Sequence, residues 1–237
     1  MTRYAIYFTP ASNSLWWLAG CHWLGRDPES GMRSALPRLA GIEPDLQIQL
    51  THNARRYGFH ATLKAPFHLA EGCNETQLLN MARQFADQQG AIEVLHPTIQ
   101  RLGAFLALQP SVAQTDINAL AMQCVRYFDG LRATPSAAEL IRRRQAVLSP
   151  RHETLLLRWG YPFTEEAYRF HMTLTDALNG IDERRVSALH AAAHSHFAEA
   201  ISSPLVIDSI AVFREATSRA DFDLIARMPF ASTHTDK

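Results

Sequence analysis

The chain has 237 residues, 47% of them hydrophobic, with Lys plus Arg and Asp plus Glu each totalling 23 and a net charge of zero. That length holds one large domain or two modest lobes around a sizeable core, and the even charge argues against a phosphate-backbone binder, whose affinity needs clustered cations. Cys21, Cys73 and Cys124 are an odd, scattered set without Cys-x-x-Cys, which argues against a disulfide framework and fits a reducing cytoplasm. The opening MTRYAIYFTP carries too short an apolar run for a signal peptide, and no run approaches the ~18 residues of a membrane span. A soluble cytoplasmic protein that does not contact membranes is expected.

In chain order, Arg3 to Phe8 alternates as a strand and stops at Pro10, and Ser12-Asn13-Ser14 caps a helix through LWWLAGCHWLG. Arg26 to Asp45 is rich in Pro and Gly and reads as loop with one short helix. A strand follows at Phe59 to Lys64, then a helix from Glu75 to Gln88 and strands at Ile92 to Leu95 and Thr98 to Leu108, the second bent or turned at Gly103. Helices are expected at Thr115 to Phe128 and Ser136 to Ala146, then a connection around Pro150 and His152. After a strand at residues 168–175 comes a helix from Asp182 to Ala200, with strands at Leu205 to Phe213 and Phe222 to Met228.

Two stretches in this order nearly coincide. YGFHATLKAPF begins at Tyr57 and YRFHMTLTDAL at Tyr168, and both contain Phe-His-x-Thr-Leu. Each is followed by a helix and a strand pair, so the chain reads as an internal duplication with too few copies for a solenoid. The bare tripeptide His-x-Thr carries little, since it occurs four times. The copies at His96 and His152 lack the preceding Phe and the downstream pattern. Alternation along a strand sets His60, Thr62 and Lys64 on one face, and likewise Arg169, His171, Thr173 and Thr175, with the intervening apolar residues turned to a core. The bland reading, two surface histidines on solvent-facing strands, explains either copy alone but not the pair.

A pair of histidines suits metal-free phosphodiester hydrolysis, which needs a base to activate water and an acid to protonate the leaving oxygen. An imidazole serves either role near neutral pH. Hydroxyls on the same face donate to non-bridging oxygens, and Lys64 or Arg169 would neutralise phosphate charge.

These motifs resemble the two-histidine phosphoesterase superfamily of cyclic phosphodiesterases and RNA 2′,5′-ligase-like proteins. RYGFHATLKAPF, WGYPF and YRFHMTLT resemble a branch associated with phosphonate-utilisation operons. The resemblance implies an α+β fold of two pseudo-symmetric lobes, each an antiparallel sheet with packed helices, around a central groove. It implies one two-lobed domain over 1–237, with repeat units near 57–110 and 168–229. It makes His60 and His171 the acid–base pair and Thr62 and Thr173 phosphate ligands. Lys64 and Tyr57 also belong to the first motif, although strand parity turns Tyr57 away from the groove face. No cofactor is implied, and the partner is a small phosphorylated substrate such as a sugar cyclic phosphate.

The remaining candidates have plainer readings. His190, His194 and His196 lack the Glu of a His-Glu-x-x-His zinc motif, because Ala191 stands there. Arg142, Arg143 and Arg144 read as a solvated helix face, or as a phosphate contact beside the groove. No Gly-x-Gly-x-x-Gly loop occurs. Two rivals stay open: an enzyme of the same fold acting on RNA ends as a 2′,3′-cyclic phosphodiesterase or ligase, and a module that binds a phosphorylated ligand without turnover.

Overall fold

The computed structural model describes residues 1–145 and 147–231. Strand β1 (Arg3–Phe8) is followed by α1 (Leu15–Leu24), whose first turn is capped by the Ser14 side chain accepting from the Trp17 amide. Helices α2 (Pro44–Leu50) and α3 (His52–Tyr57) then lead into β2 (Ala61–Phe67). Next come α4 (Glu75–Ala86), with an Asn74/Gln77 capping box, β3 (Ile92–Val94) and the hairpin β4 (Pro97–Leu102) and β5 (Phe105–Pro110). Helices α5 (Thr115–Tyr127), α6 (Ala137–Arg143) and α7 (Pro150–Trp159) precede β6 (Met172–Thr173). The chain closes with α8 (Glu183–His196), α9 (Ala198–Ile201), β7 (Leu205–Ile207), β8 (Ser209–Glu215) and β9 (Phe222–Pro229).

The class is α+β, with antiparallel sheets and packed helices as expected. Seven strands run in the order β4-β5-β6-β2-β1-β8-β9, and β3 pairs with β7 apart from them. The two parts of the large sheet meet through one residue pair, Ala61 with Met172. Connectivity crosses the repeat: the hairpin that follows the first motif pairs with the strand of the second. The hairpin that follows the second joins β1, the neighbour of the first motif strand. Helices cover one sheet face over the main core, and on the other Tyr7, Phe213 and Phe222 with Ala5 and Ala211 form a small apolar cluster.

Several expectations are corrected. The segment Arg26 to Asp45 is loop up to the first turn of α2, and α3 follows beyond it. Of the two forms expected for Thr98 to Leu108, bent or turned, the structure has the turn, a hairpin at Gly103, whose φ is 59°. The connection at His152 is helix α7, because Ser149 caps it by accepting from the His152 amide and Pro150 fits its first turn. The helix expected to Ala146 ends at Arg143, and Ala146 itself lies outside the described residues. Thr175 is fully buried, its hydroxyl accepting from the Leu106 amide at 3.0 Å, so it does not face a groove.

Candidate active site

The single pair joining the two motif strands decides the site. With Ala61 opposite Met172, the same antiparallel register sets His60 opposite Thr173 and Thr62 opposite His171. Ala61 and Met172 are both fully buried, so alternation turns the four polar side chains to the other face. A local twofold axis through that pair relates one His-x-Thr to the other. Trp23 pins the second strand from α1 by donating to the Leu174 carbonyl at 2.8 Å. Tyr168 ties the strands together, its hydroxyl donating to the Thr62 carbonyl at 3.0 Å.

Each imidazole is oriented in the same way. His60 donates from Nδ1 to the Gly58 carbonyl at 2.9 Å and His171 to the Arg169 carbonyl at 2.8 Å. A carbonyl only accepts, so Nδ1 carries the proton and Nε2 is left to do chemistry. Gly58 is required for this geometry, since its φ is 75° and a Cβ there would lie 2.7 Å from Pro28. His60 Nε2 lies 3.3 Å from the Thr62 hydroxyl. The His60 ring stacks on Tyr7 at 3.8 Å between centroids, and His171 tilts against Phe105 at 5.6 Å.

Burial against these aromatics pushes the His60 pKa down to about 4, opposed by the Gly58 carbonyl and helped by the charge of His171. Burial lowers His171 too, against the pull of the Arg169 carbonyl. Both shifts favour the neutral imidazole, and at about 4 the His60 ring is a weaker base than a free imidazole.

A cavity of about 380 Å³ opens beside this face, lined by Thr62 and His171 together with Phe105, Met122, Tyr161 and Tyr168. Arg169 also lines it, but the arginine is exposed and one guanidinium nitrogen already donates to the Glu166 and Tyr168 carbonyls at 2.8 and 2.7 Å. Arg169 thus sits at the rim with part of its donor set committed.

Lys64 departs from the sequence reading. Tyr7 pairs with Thr62 and Ile6 with Lys64, leaving Leu63 as an extra residue on β2. Alternation slips by one at this bulge, so Thr62 and Lys64 face opposite sides of the sheet. Lys64 is 3% exposed and donates to the Val125 carbonyl in the last turn of α5 at 2.9 Å and to Asp129 at 3.3 Å. Burial lowers its pKa to about 8 against the opposing pull of Asp129. It is a helix-end cation and not a groove residue.

Tyr57 departs in the other direction. It closes α3 instead of sitting on a strand, so strand parity does not apply, and its ring lies 6.1 Å from His60 and 5.0 Å from Phe222. Asp176, just past the second motif, holds the start of α3 by accepting from the Asn53 and Ala54 amides. In the sequence Tyr7 has no claim beyond its proximity to a motif strand, because its place under His60 depends on the β1–β2 register. His190 and His194 both approach the Ile99 carbonyl, at 2.9 and 3.1 Å. Among the described residues no group of three or more His, Cys, Asp or Glu is set to hold a metal.

Residues 62–223 match the model of a family described as a protein of unknown function, DUF1045, and the chain belongs to that family. It is 50% identical over 232 residues to a protein of Janthinobacterium sp. (strain Marseille) named ribose 1,5-bisphosphate phosphokinase PhnN, covering 98% of this chain and 51% of that one. A protein of the same name from Laribacter hongkongensis (strain HLHK9) is 36% identical over 226 residues, covering 94% and 50%. The chain spans about half the length of these curated relatives. Among solved structures it is similar to E. coli LigT complexed with 3′-AMP, at a TM-score of 0.42 and 11% identity over 97% of this chain and 98% of that one.

Proposed function

We propose that this chain is a two-histidine phosphoesterase that opens a small cyclic phosphodiester, with His60 and His171 as the acid–base pair. The observation that carries the reading is the twofold relation of the two His-x-Thr units, each with Nδ1 tied to a carbonyl and Nε2 left for proton transfer. In the reaction, one Nε2 takes a proton from water as its oxygen attacks phosphorus. The other protonated Nε2 gives its proton to the departing ring oxygen, and a phosphomonoester is left. Two imidazoles on opposite sides of the phosphorus suit in-line displacement. The Thr62 and Thr173 hydroxyls donate to the non-bridging oxygens, whose charge grows in the transition state. Both proton transfers are carried by protein groups, so the scheme asks for no metal.

Because both pKa values are lowered, the acid must acquire its proton as the anionic phosphate binds beside it. The curated relatives are named for a ribose bisphosphate, which supports a phosphorylated sugar as substrate class, in line with the phosphonate setting that the motifs imply. The cavity beside His171, walled by Phe105, Met122 and Tyr161, gives the RNA-end reading its support, since a nucleobase would also fill it. Purified protein assayed with sugar and nucleotide cyclic phosphates, with chelator present, tests the proposal. Turnover of a sugar cyclic phosphate is expected; activity lost to chelator and restored by a divalent ion would end the two-histidine scheme.

A further inference from the structure

The two motif strands are related by a twofold axis, but the strands flanking them differ at one matched position. Tyr7 on β1 pairs with Thr62, and Ala107 on β5 pairs with Thr173. The next residues along, Phe8 and Leu108, pair with Ala61 and Met172. Tyr7 and Ala107 are therefore counterparts, and a phenol ring in one half stands where a methyl group stands in the other. Both are buried, so the difference lies in the floor of the site and not on the surface.

Diagonal neighbours on paired strands are within reach of an aromatic side chain. Tyr7 uses that reach to lie flat on His60, with 3.8 Å between centroids and 25° between the planes. Ala107 offers His171 no such surface, and that imidazole meets Phe105 instead, at 5.6 Å and 45°. The hydrogen bond from His60 Nδ1 to the Gly58 carbonyl fixes where that nitrogen points, but it lets the ring swing about the bond. A flat group against the ring face removes the swing and keeps Nε2 at 3.3 Å from the Thr62 hydroxyl.

Tyr7 is itself held from below. Its ring packs on Phe213 at 5.0 Å and Phe222 at 6.3 Å. Phe222 in turn lies against Tyr57 and under the guanidinium groups of Arg3 and Arg56. Both arginines pair with Glu215, which is fully buried. The stack under His60 thus ends on a fixed ion cluster. Burial pushes the Tyr7 phenol well above its ordinary range, reinforced by Tyr57 and Tyr161 and opposed by Arg3 and Arg143. The phenol stays neutral and is no proton donor to the reaction, so what it contributes to His60 is the face of its ring.

We infer that Tyr7 is a positioning residue for His60, and that its presence in one half alone makes the two histidines of the site unequal. The inference rests on the two-histidine reading for the task that His60 performs. The ring of Tyr7 sets the plane in which His60 Nε2 meets the phosphate, whereas His171, beside a methyl group and a tilted ring, is held less closely.

Two measurements test it on the whole chain. The first needs no substrate: the ring-nitrogen NMR shifts of His60 and His171 at neutral pH report which nitrogen carries the proton. In wild type and Tyr7→Phe, His60 should be held in the Nδ1–H form. Tyr7→Leu and Tyr7→Met keep an apolar side chain without a flat face. In them His60 should pass to a mixture of tautomers while His171 stays as in wild type. A mixture already present at His60 in wild type, an unchanged His60 in both variants, or an equal change at His171 overturns the inference.

The second measurement is turnover of a cyclic phosphate. Tyr7→Phe should match wild type. Tyr7→Leu should lose about tenfold or more in kcat with KM little changed, because a misplaced Nε2 harms proton transfer and not binding. Phe213→Leu is the control for packing, since Phe213 belongs to the same cluster but lies 6.3 Å from His60. It should lower Tm as Tyr7→Leu does and keep its kcat. Equal losses of kcat in the two leucine variants would assign the effect to the cluster as a whole and overturn the inference. Absence of turnover in wild type would end the enzymatic reading alone, and the tautomer measurement would still decide the role of Tyr7.

Discussion

Lowering the pH from 7 to 5 should destabilise this protein through His60. The unfolded imidazole titrates near ~6.5, whereas the folded one is pushed down to about 4 by burial. As pH falls the unfolded chain takes up the proton first. The stabilising contribution is therefore fully present above the unfolded value and is lost on the way down to the folded one. The whole shift corresponds to roughly 3 kcal/mol, and the part falling between about pH 7 and pH 5 to on the order of 2 kcal/mol. Water reaching the partly open ring makes these upper values. Urea unfolding of wild type and His60→Asn at both pH values measures the difference, and His171, shifted in the same direction, is common to the two proteins. Wild type should lose up to about 2 kcal/mol more than the variant. Equal losses, or an NMR titration of His60 centred at or above ~6.5, would refute the reasoning.

Three further outcomes are expected. His60→Ala and His171→Ala should each lower kcat by several orders of magnitude, with the double variant little worse, and the wild-type kcat/KM profile should be a bell whose maximum lies acid to ~6.5, because both free imidazoles titrate low; a maximum well above neutrality would contradict the burial argument. Thr62→Val and Thr173→Val should each cost roughly 1–3 kcal/mol of transition-state stabilisation, read as kcat/KM, and an unchanged value for both would remove the hydroxyls from the mechanism. Lys64→Met should lower stability by about 1–3 kcal/mol, since the Val125 carbonyl loses its side-chain donor and Asp129 keeps only Arg132, while turnover of the folded variant stays near wild type. A collapse of turnover at unchanged Tm would restore Lys64 to the groove.

The motif strands, the helices that follow them and the strand pairs after those were legible in the sequence, because each rests on local alternation and capping. The proximity of His60 and His171 was legible only through the repetition of their flanks. Lys64 was misread for a physical reason: a strand's period of two survives only until a bulge, and the extra Leu63 is visible as such only against its partner β1. Tyr57 was misread because Gly58, with its positive φ, ends a helix one turn before the strand begins. Tyr7 carries no motif and its place is fixed by register, whereas Tyr161 lies in WGYPF and is placed by the path of the chain after α7.

The crossed connectivity of the two halves bears on how such a chain can arise and be cut. The hairpin of the first half completes the strand of the second, and the hairpin of the second half completes the first through β1. Neither half contains a sheet it could close alone, so a chain severed between α6 and α7 would leave two fragments whose edges fit each other and no third partner. Two copies of a half-length ancestor would meet in the same way, motif strand against motif strand across a dimer axis, with one histidine from each subunit. Joining two such copies end to end would fix that axis inside a single chain and leave the copies free to differ. The two tyrosines that open the repeats already have: Tyr168 braces the Thr62 carbonyl, and Tyr57 stands over the cluster beneath His60.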